Sequence, residues 1–120
     1  MTRDAEPTLT IRTDLRAADR ATVTIRGEVD LETAPELERR LVEVAERGLP
    51  VIVDLGECTY MDSSGFRTLH QVAALARIVL VVPPEAFLAR VVGLAGMGEV
   101  ITICDDLAGA SEFLGIAPSQ

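Results

Sequence analysis

Apolar positions along the chain fall into two rhythms. In Arg20–Gly27, RATVTIRG, Val23 and Ile25 alternate with polar neighbours, the period-two pattern of a half-buried strand. Thr8–Thr13, TLTIRT, is a shorter β-branched run, and the polar DLRAAD between the two reads as a hairpin loop. A helical rhythm follows. Ala34, Leu37, Leu41, Val44 and Ala45 make one apolar face, and Glu32, Glu36, Glu38, Arg39, Arg40, Glu43 and Arg47 cover the other. Thr33 with Glu36 has the spacing of a capping box, Pro35 suits an early helical position, and Gly48 suits the stop.

The second half repeats strand and helix. Pro50–Leu55, PVIVDL, and Ile78–Val82, IVLVV, are nearly all apolar, as in strands covered on both faces. Between them a polar loop leads to a helix opened by Asp62, with Phe66, Leu69, Ala73 and Ala76 as its stripe. Pro83 and Pro84 break the next strand and start a third helix carrying Phe87, Leu88, Val91 and Leu94. Gly93, Gly96 and Gly98 read as a helix end and a turn. Val100–Ile103 is a last strand, and Asp105 caps a final helix with Leu107, Ala110, Phe113 and Leu114, ended by Gly115. The expected order is β-β-α-β-α-β-α-β-α, an α/β fold with a mainly parallel mixed sheet of about five strands and four helices. The first strand is expected to pair antiparallel with the second.

Composition narrows this picture. At 120 residues the chain supports one core. Three Phe, one Tyr and no Trp make that core aliphatic. A net charge of −8 with no basic stripe argues against nucleic acid, and favours a basic protein partner if any. No signal-like or membrane-spanning run is visible, so the cytoplasm is the expected location. Cys58 and Cys104 are too few for a disulfide framework, and in a sequentially ordered sheet one strand separates them.

The chemistry-bearing stretch is Leu55–Leu69, LGECTYMDSSGFRTL, where a helix begins at Asp-Ser-Ser-Gly. Helix starts favour oxygen-bearing groups, phosphate included. Taken alone, Asp62 is an ordinary N-cap, Ser63 and Ser64 fill the first turn, and Gly65 allows close packing. The loop lacks the first Gly of a nucleophile elbow. His70, the single histidine, lies about two turns or roughly 10 Å from Ser63, beyond general-base reach. No phosphate-binding glycine motif and no metal-ligand spacing is present, so neither enzyme activity nor a cofactor or metal is expected.

The segment CTYMDSSG after VIVDL resembles the signature of STAS domains, the sulphate-transporter and anti-sigma-antagonist family. Gly27-Glu28-Val29-Asp30, followed by Thr33-Ala34-Pro35, matches a second family feature at the right separation. PPEAFLARVVGLAGMGEVITICDD resembles the family's third helix and last strand. The resemblance implies a STAS (SpoIIAA-like) fold over residues 8–116, with tails at 1–7 and 117–120. It implies an anti-sigma-factor antagonist, monomeric or weakly dimeric, that is phosphorylated on Ser63 by an anti-sigma factor with serine kinase activity and reset by a serine phosphatase. Glu28, Asp30, Thr33, Asp62, Ser64, Gly65, Phe66 and Arg67 would form the partner-binding surface. The alternative is an unphosphorylated STAS scaffold or regulatory subunit of a signalling or lipid-transport complex.

Two departures from the family pattern stand out. Phe66 and Arg67 follow Asp-Ser-Ser-Gly where the family usually has Leu and a small residue, and Arg67 is expected to pair with Asp62 or with a partner. Only fifteen residues separate Asp62 from Ile78, so the second helix should be short or its exit tight.

Overall fold

The computed structural model describes residues 8–94 and 96–117, with Leu94 described by its backbone. The expected tail at 1–7, residues 118–120 and the side chain of Leu94 lie outside the described residues. The elements are β1 (Leu9–Asp14), β2 (Ala21–Val29), α1 (Ala34–Ala45), β3 (Val51–Met61), α2 (Ser63–Ala73), β4 (Ile78–Val81), α3 (Phe87–Leu94), β5 (Thr102–Cys104) and α4 (Leu107–Leu114). The sheet runs β1-β2-β3-β4-β5 in chain order, antiparallel at β1/β2 and parallel elsewhere.

Period-two alternation divides the apolar strands between two layers. Val51, Val53, Leu55, Ile78 and Leu80 join Val23 and Ile25 against α1, α2 and α3. Ile52, Val79 and Val81 face the other way, against Ala110 and Leu114 of α4. On α1, Ala34, Leu37, Leu41, Val44 and Ala45 are the buried residues, as the helical spacing predicts. Leu37 and Leu41 are fully buried, worth about 1.5–3 kcal/mol each.

Several local expectations are corrected. The polar loop after Leu55 is strand: β3 continues through Gly56–Tyr60 to Met61 beside β2. The pairing shifts register twice, so buried residues there recur every third position, at Leu55, Cys58 and Met61, and the alternation breaks. α3 begins at Phe87, three residues beyond Pro84, and Phe87 itself is exposed. On α2 the buried stripe is Gly65, Thr68, Leu69 and Val72, while Phe66, Ala73 and Ala76 are only half-buried. On α4 it is Ala110, Ser111 and Leu114, with Leu107 and Phe113 exposed. Small and polar residues take these places because they lie closest to the sheet.

The cap of α4 is Asp106, not Asp105: its carboxylate accepts from the Gly109 amide at 2.7 Å. Gly115 ends α4 at φ +74. The exit of α2 is tight, with the Leu75 and Ala76 amides both donating to the Val72 carbonyl. Arg20 is buried and ties α4 and its exit to the start of β2, donating to Ser111 Oγ, to the Ala117 carbonyl and to Asp19.

Candidate functional site

Parallel pairing brings the ends of β2 and β3 together, Glu28 opposite Tyr60 and Val29 opposite Met61. The ladder runs into the next helix, because the Asp62 amide donates to the Val29 carbonyl at 3.1 Å. The Gly-Glu-Val-Asp and Asp-Ser-Ser-Gly segments, more than thirty residues apart in sequence, are therefore neighbours at one end of the sheet.

Gly27 makes the first approach possible. It sits at φ +103 in the bulge, and a Cβ there would lie 2.1 Å from the Thr8 carbonyl oxygen. The Glu28 amide then reaches that same oxygen at 2.7 Å. Beyond Val29 the chain turns on Asp30. Its Oδ1 accepts from the amides of Glu32 and Thr33 at 3.0 Å and from Thr33 Oγ1 at 3.1 Å. Amide donation from Thr33, with further bonds from its hydroxyl and from Glu32, holds the Asp30 carboxyl below the usual aspartate range.

The capping box read from Thr33 and Glu36 does not form. Thr33 makes no side-chain cap, because its hydroxyl is used behind the helix, bonded to the Asp30 amide at 2.9 Å and to the Glu28 carbonyl at 3.1 Å. Glu36 instead pairs with Arg39 at 2.8 Å.

The second junction is simpler. Asp62 caps α2 through Oδ1 to the Ser64 amide at 2.9 Å. Ser63 is the first helical residue and is exposed. Among the described residues no hydrogen bond holds its hydroxyl. Ser64 is half-buried, and its carbonyl accepts from the Thr68 hydroxyl at 3.1 Å. Gly65 is buried: a Cβ there would meet Met61 Cγ at 2.5 Å and Val29 Cγ1 at 2.8 Å. Its role is to seat α2 on the two strand ends.

Arg67 is exposed and forms no ion pair among the described residues, so the expected pairing with Asp62 is not made. Its side chain borders a shallow groove of about 230 Å³ between α1 and α2, shared with Leu31, Pro35, Glu38 and Ser64. Phe66 packs half-buried against the main core. The sequence reading missed Leu31, 76% exposed in the turn after Asp30, and Tyr60, 46% exposed beside Glu28. Leu31 directly follows Gly-Glu-Val-Asp, and Tyr60 lies two residues before Asp-Ser-Ser-Gly. The signal for Leu31 was an apolar residue between acids that fits no helical face.

His70 is exposed on α2. Cys58 and Cys104 are free, on strands separated by β4. Burial pushes both thiols up, helped at Cys104 by Asp105 and Asp106, which disfavours thiolate chemistry. Among the described residues no cluster of His, Cys, Asp and Glu could hold a metal ion, and no helix is long and apolar enough to cross a membrane.

The site is thus a bulged parallel strand pair ending in two turns closed by Asp30 and Asp62, with an exposed serine at the second. A family model described as "Mlab, STAS domain" matches residues 13–103, and the chain belongs to the STAS domain family. A curated relative, the anti-sigma-B factor antagonist of Bacillus subtilis (strain 168), is 44% identical over 43 residues, 36% of this chain and 39% of that protein. The match thus spans well under half the relative's length. An anti-sigma factor antagonist from Mycobacterium paratuberculosis superposes with a TM-score of 0.76 at 19% identity, over 90% of this chain and 93% of that one. The anti-sigma factor antagonist SpoIIAA in its unphosphorylated form gives 0.66 at 16% identity, over 90% and 99%. At these identities the likeness is one of fold: a SpoIIAA-like sheet with four helices.

Proposed function

We propose that this chain is an anti-sigma-factor antagonist controlled at Ser63. Unmodified, it binds an anti-sigma factor that is also a serine kinase, in the cytoplasm. The kinase moves the γ-phosphoryl group of ATP to Ser63 Oγ, whose proton is lost as ADP leaves, and the modified chain is released. A serine phosphatase restores the hydroxyl. This chain is then a substrate and not the catalyst. The observation that carries the reading is the exposed Ser63 hydroxyl at the start of α2, beside Asp62 and next to the turn of Glu28 and Asp30.

The physics of the switch is local. A phosphoryl group adds about −1.5 to −2 charges and three acceptor oxygens. The start of α2 tolerates it, so the domain keeps its fold. A docked partner must accommodate that charge next to the Asp62 carboxylate. A tenfold loss of affinity needs only about 1.4 kcal/mol.

Intact mass after incubation with candidate anti-sigma kinases and ATP tests the assignment. One phosphate added to the wild type and none to Ser63→Ala is the expected result. No addition with any kinase, or addition that survives Ser63→Ala, overturns it. Arg67, one helical turn on from Ser63 and without an ion pair among the described residues, favours a second reading, a STAS scaffold or regulatory subunit that docks an acidic group and is never phosphorylated. Partner binding that is lost in Arg67→Ala but unchanged in Ser63→Asp would select that reading.

A further inference from the structure

The free edge of the sheet at β1 carries information that the Ser63 end does not use. Leu9 stands opposite Gly27, Ile11 opposite Ile25 and Thr13 opposite Val23. The Glu28 amide donates to the Thr8 carbonyl, which marks Thr8 and Glu28 as a hydrogen-bonded pair in the same register. Such pairs alternate along an antiparallel ladder. Thr10, Arg12 and Asp14 therefore bond to β2, and the backbone groups of Leu9, Ile11 and Thr13 point outward. Among the described residues no strand lies on that side. An open edge of this kind templates pairing with another chain unless something blocks it.

Arg40 blocks it. From α1 its Nη2 donates to the Ile11 carbonyl at 3.2 Å and to Thr13 Oγ1 at 3.1 Å. Its carboxylate neighbour, Glu36, is 3.9 Å away. Arg40 thus splits its guanidinium, one nitrogen on the edge and the other within 3.9 Å of Glu36, whereas Arg39 pairs only along its own helix, with Glu36 and Glu43.

We infer that Arg40 guards this edge against a second copy of the same chain. The sequence of the edge is self-complementary. If two β1 strands pair antiparallel about a two-fold axis at Thr13, Arg12 of each copy faces Asp14 of the other on the open side of the sheet. On the helix side Ile11 faces Leu15, which is 37% exposed in the single chain. Asp14 would exchange its local partner, Arg16 at 2.7 Å, for Arg12 of the other copy. Opposite charges placed directly across a ladder are favourable, and a two-fold axis makes each pair twice. Centring on Ile11 instead puts Arg12 opposite Thr10 and loses both matches.

Sedimentation equilibrium of the full chain across a wide concentration range tests the proposal. Wild type stays monomeric. Arg40→Ala doubles its weight-average mass as concentration rises, and Arg40→Met, which keeps the packing stem without the donors, does the same should the alanine variant fold poorly. Adding Asp14→Arg to Arg40→Met returns it to monomer, and adding Arg12→Asp as well restores the dimer. The proposal is overturned if Arg40→Met remains monomeric at its highest concentration. It is equally overturned if Asp14→Arg leaves that dimer intact, or if wild type dimerises as readily as Arg40→Met.

Discussion

Two strand-to-helix junctions sit side by side at the end of the sheet, and they are built oppositely. At the first, after β2, Asp30 spends its carboxylate on two amides and a hydroxyl, and Thr33 spends its hydroxyl on the turn. At the second, after β3, Asp62 makes one cap bond and Ser63 presents its hydroxyl outward. Both open on aspartate, so composition alone does not separate them. The difference is which oxygen atoms are already occupied. A closed junction can hold a surface in shape, and only the open one can be chemically marked without dismantling its own turn.

Each junction also depends on one glycine, and replacing these should produce the largest effects. Gly27→Ala drives a Cβ to 2.1 Å from a backbone oxygen at φ +103, where neither side can yield cheaply. A loss of about 3 kcal/mol or more is expected in denaturant unfolding. Gly65→Ala meets only the side chains of Met61 and Val29, which can shift, so about 1–3 kcal/mol is expected. A larger loss at Gly65 than at Gly27 would reverse the ranking of the two junctions.

Asp62→Ala removes a single cap bond and should cost about 1 kcal/mol, with faster amide exchange confined to the first turn of α2. Exchange that spreads into α1 would mean that the junctions are one unit. The smallest effect is expected from acid. The lowered pKa of Asp30 means that its contribution is fully present above the ordinary aspartate pKa. That contribution fades as pH falls through the folded value. Asp14, held to about 2 by the side chain and amide of Arg16, has the same sign. Stability of Asp30→Asn should therefore fall less steeply in acid than that of wild type. Parallel acid profiles would show that the turn does not rest on the charged carboxylate.

Much of this was legible in the sequence because it was periodic. The face of α1 from Ala34 to Ala45 follows a simple helical spacing, and the buried runs of β3 and β4 match strands covered on both sides. Asp62 was readable as a cap because nothing else competes for its carboxylate. The end of β3 was not, since two register shifts replace alternation with a spacing of three. Thr33 and Glu36 had the spacing of a capping box, but the Asp30 turn claimed the Thr33 hydroxyl and Arg39 claimed Glu36. Phe66 does pack on the core, but the closest places on α2 and α4 go to Gly65, Ala110 and Ser111, and Phe113 is left exposed, because close packing on a sheet selects small side chains. Leu31 and Tyr60 were passed over because exposure in a turn or at a bulge has no period to reveal it.

The open junction is best tested by titrating the kinase proposed above with two forms of the chain, unmodified and phosphorylated on Ser63. The account predicts at least about tenfold weaker binding of the phosphorylated form, with an unchanged melting transition for the domain itself. Equal affinity of the two forms would contradict it.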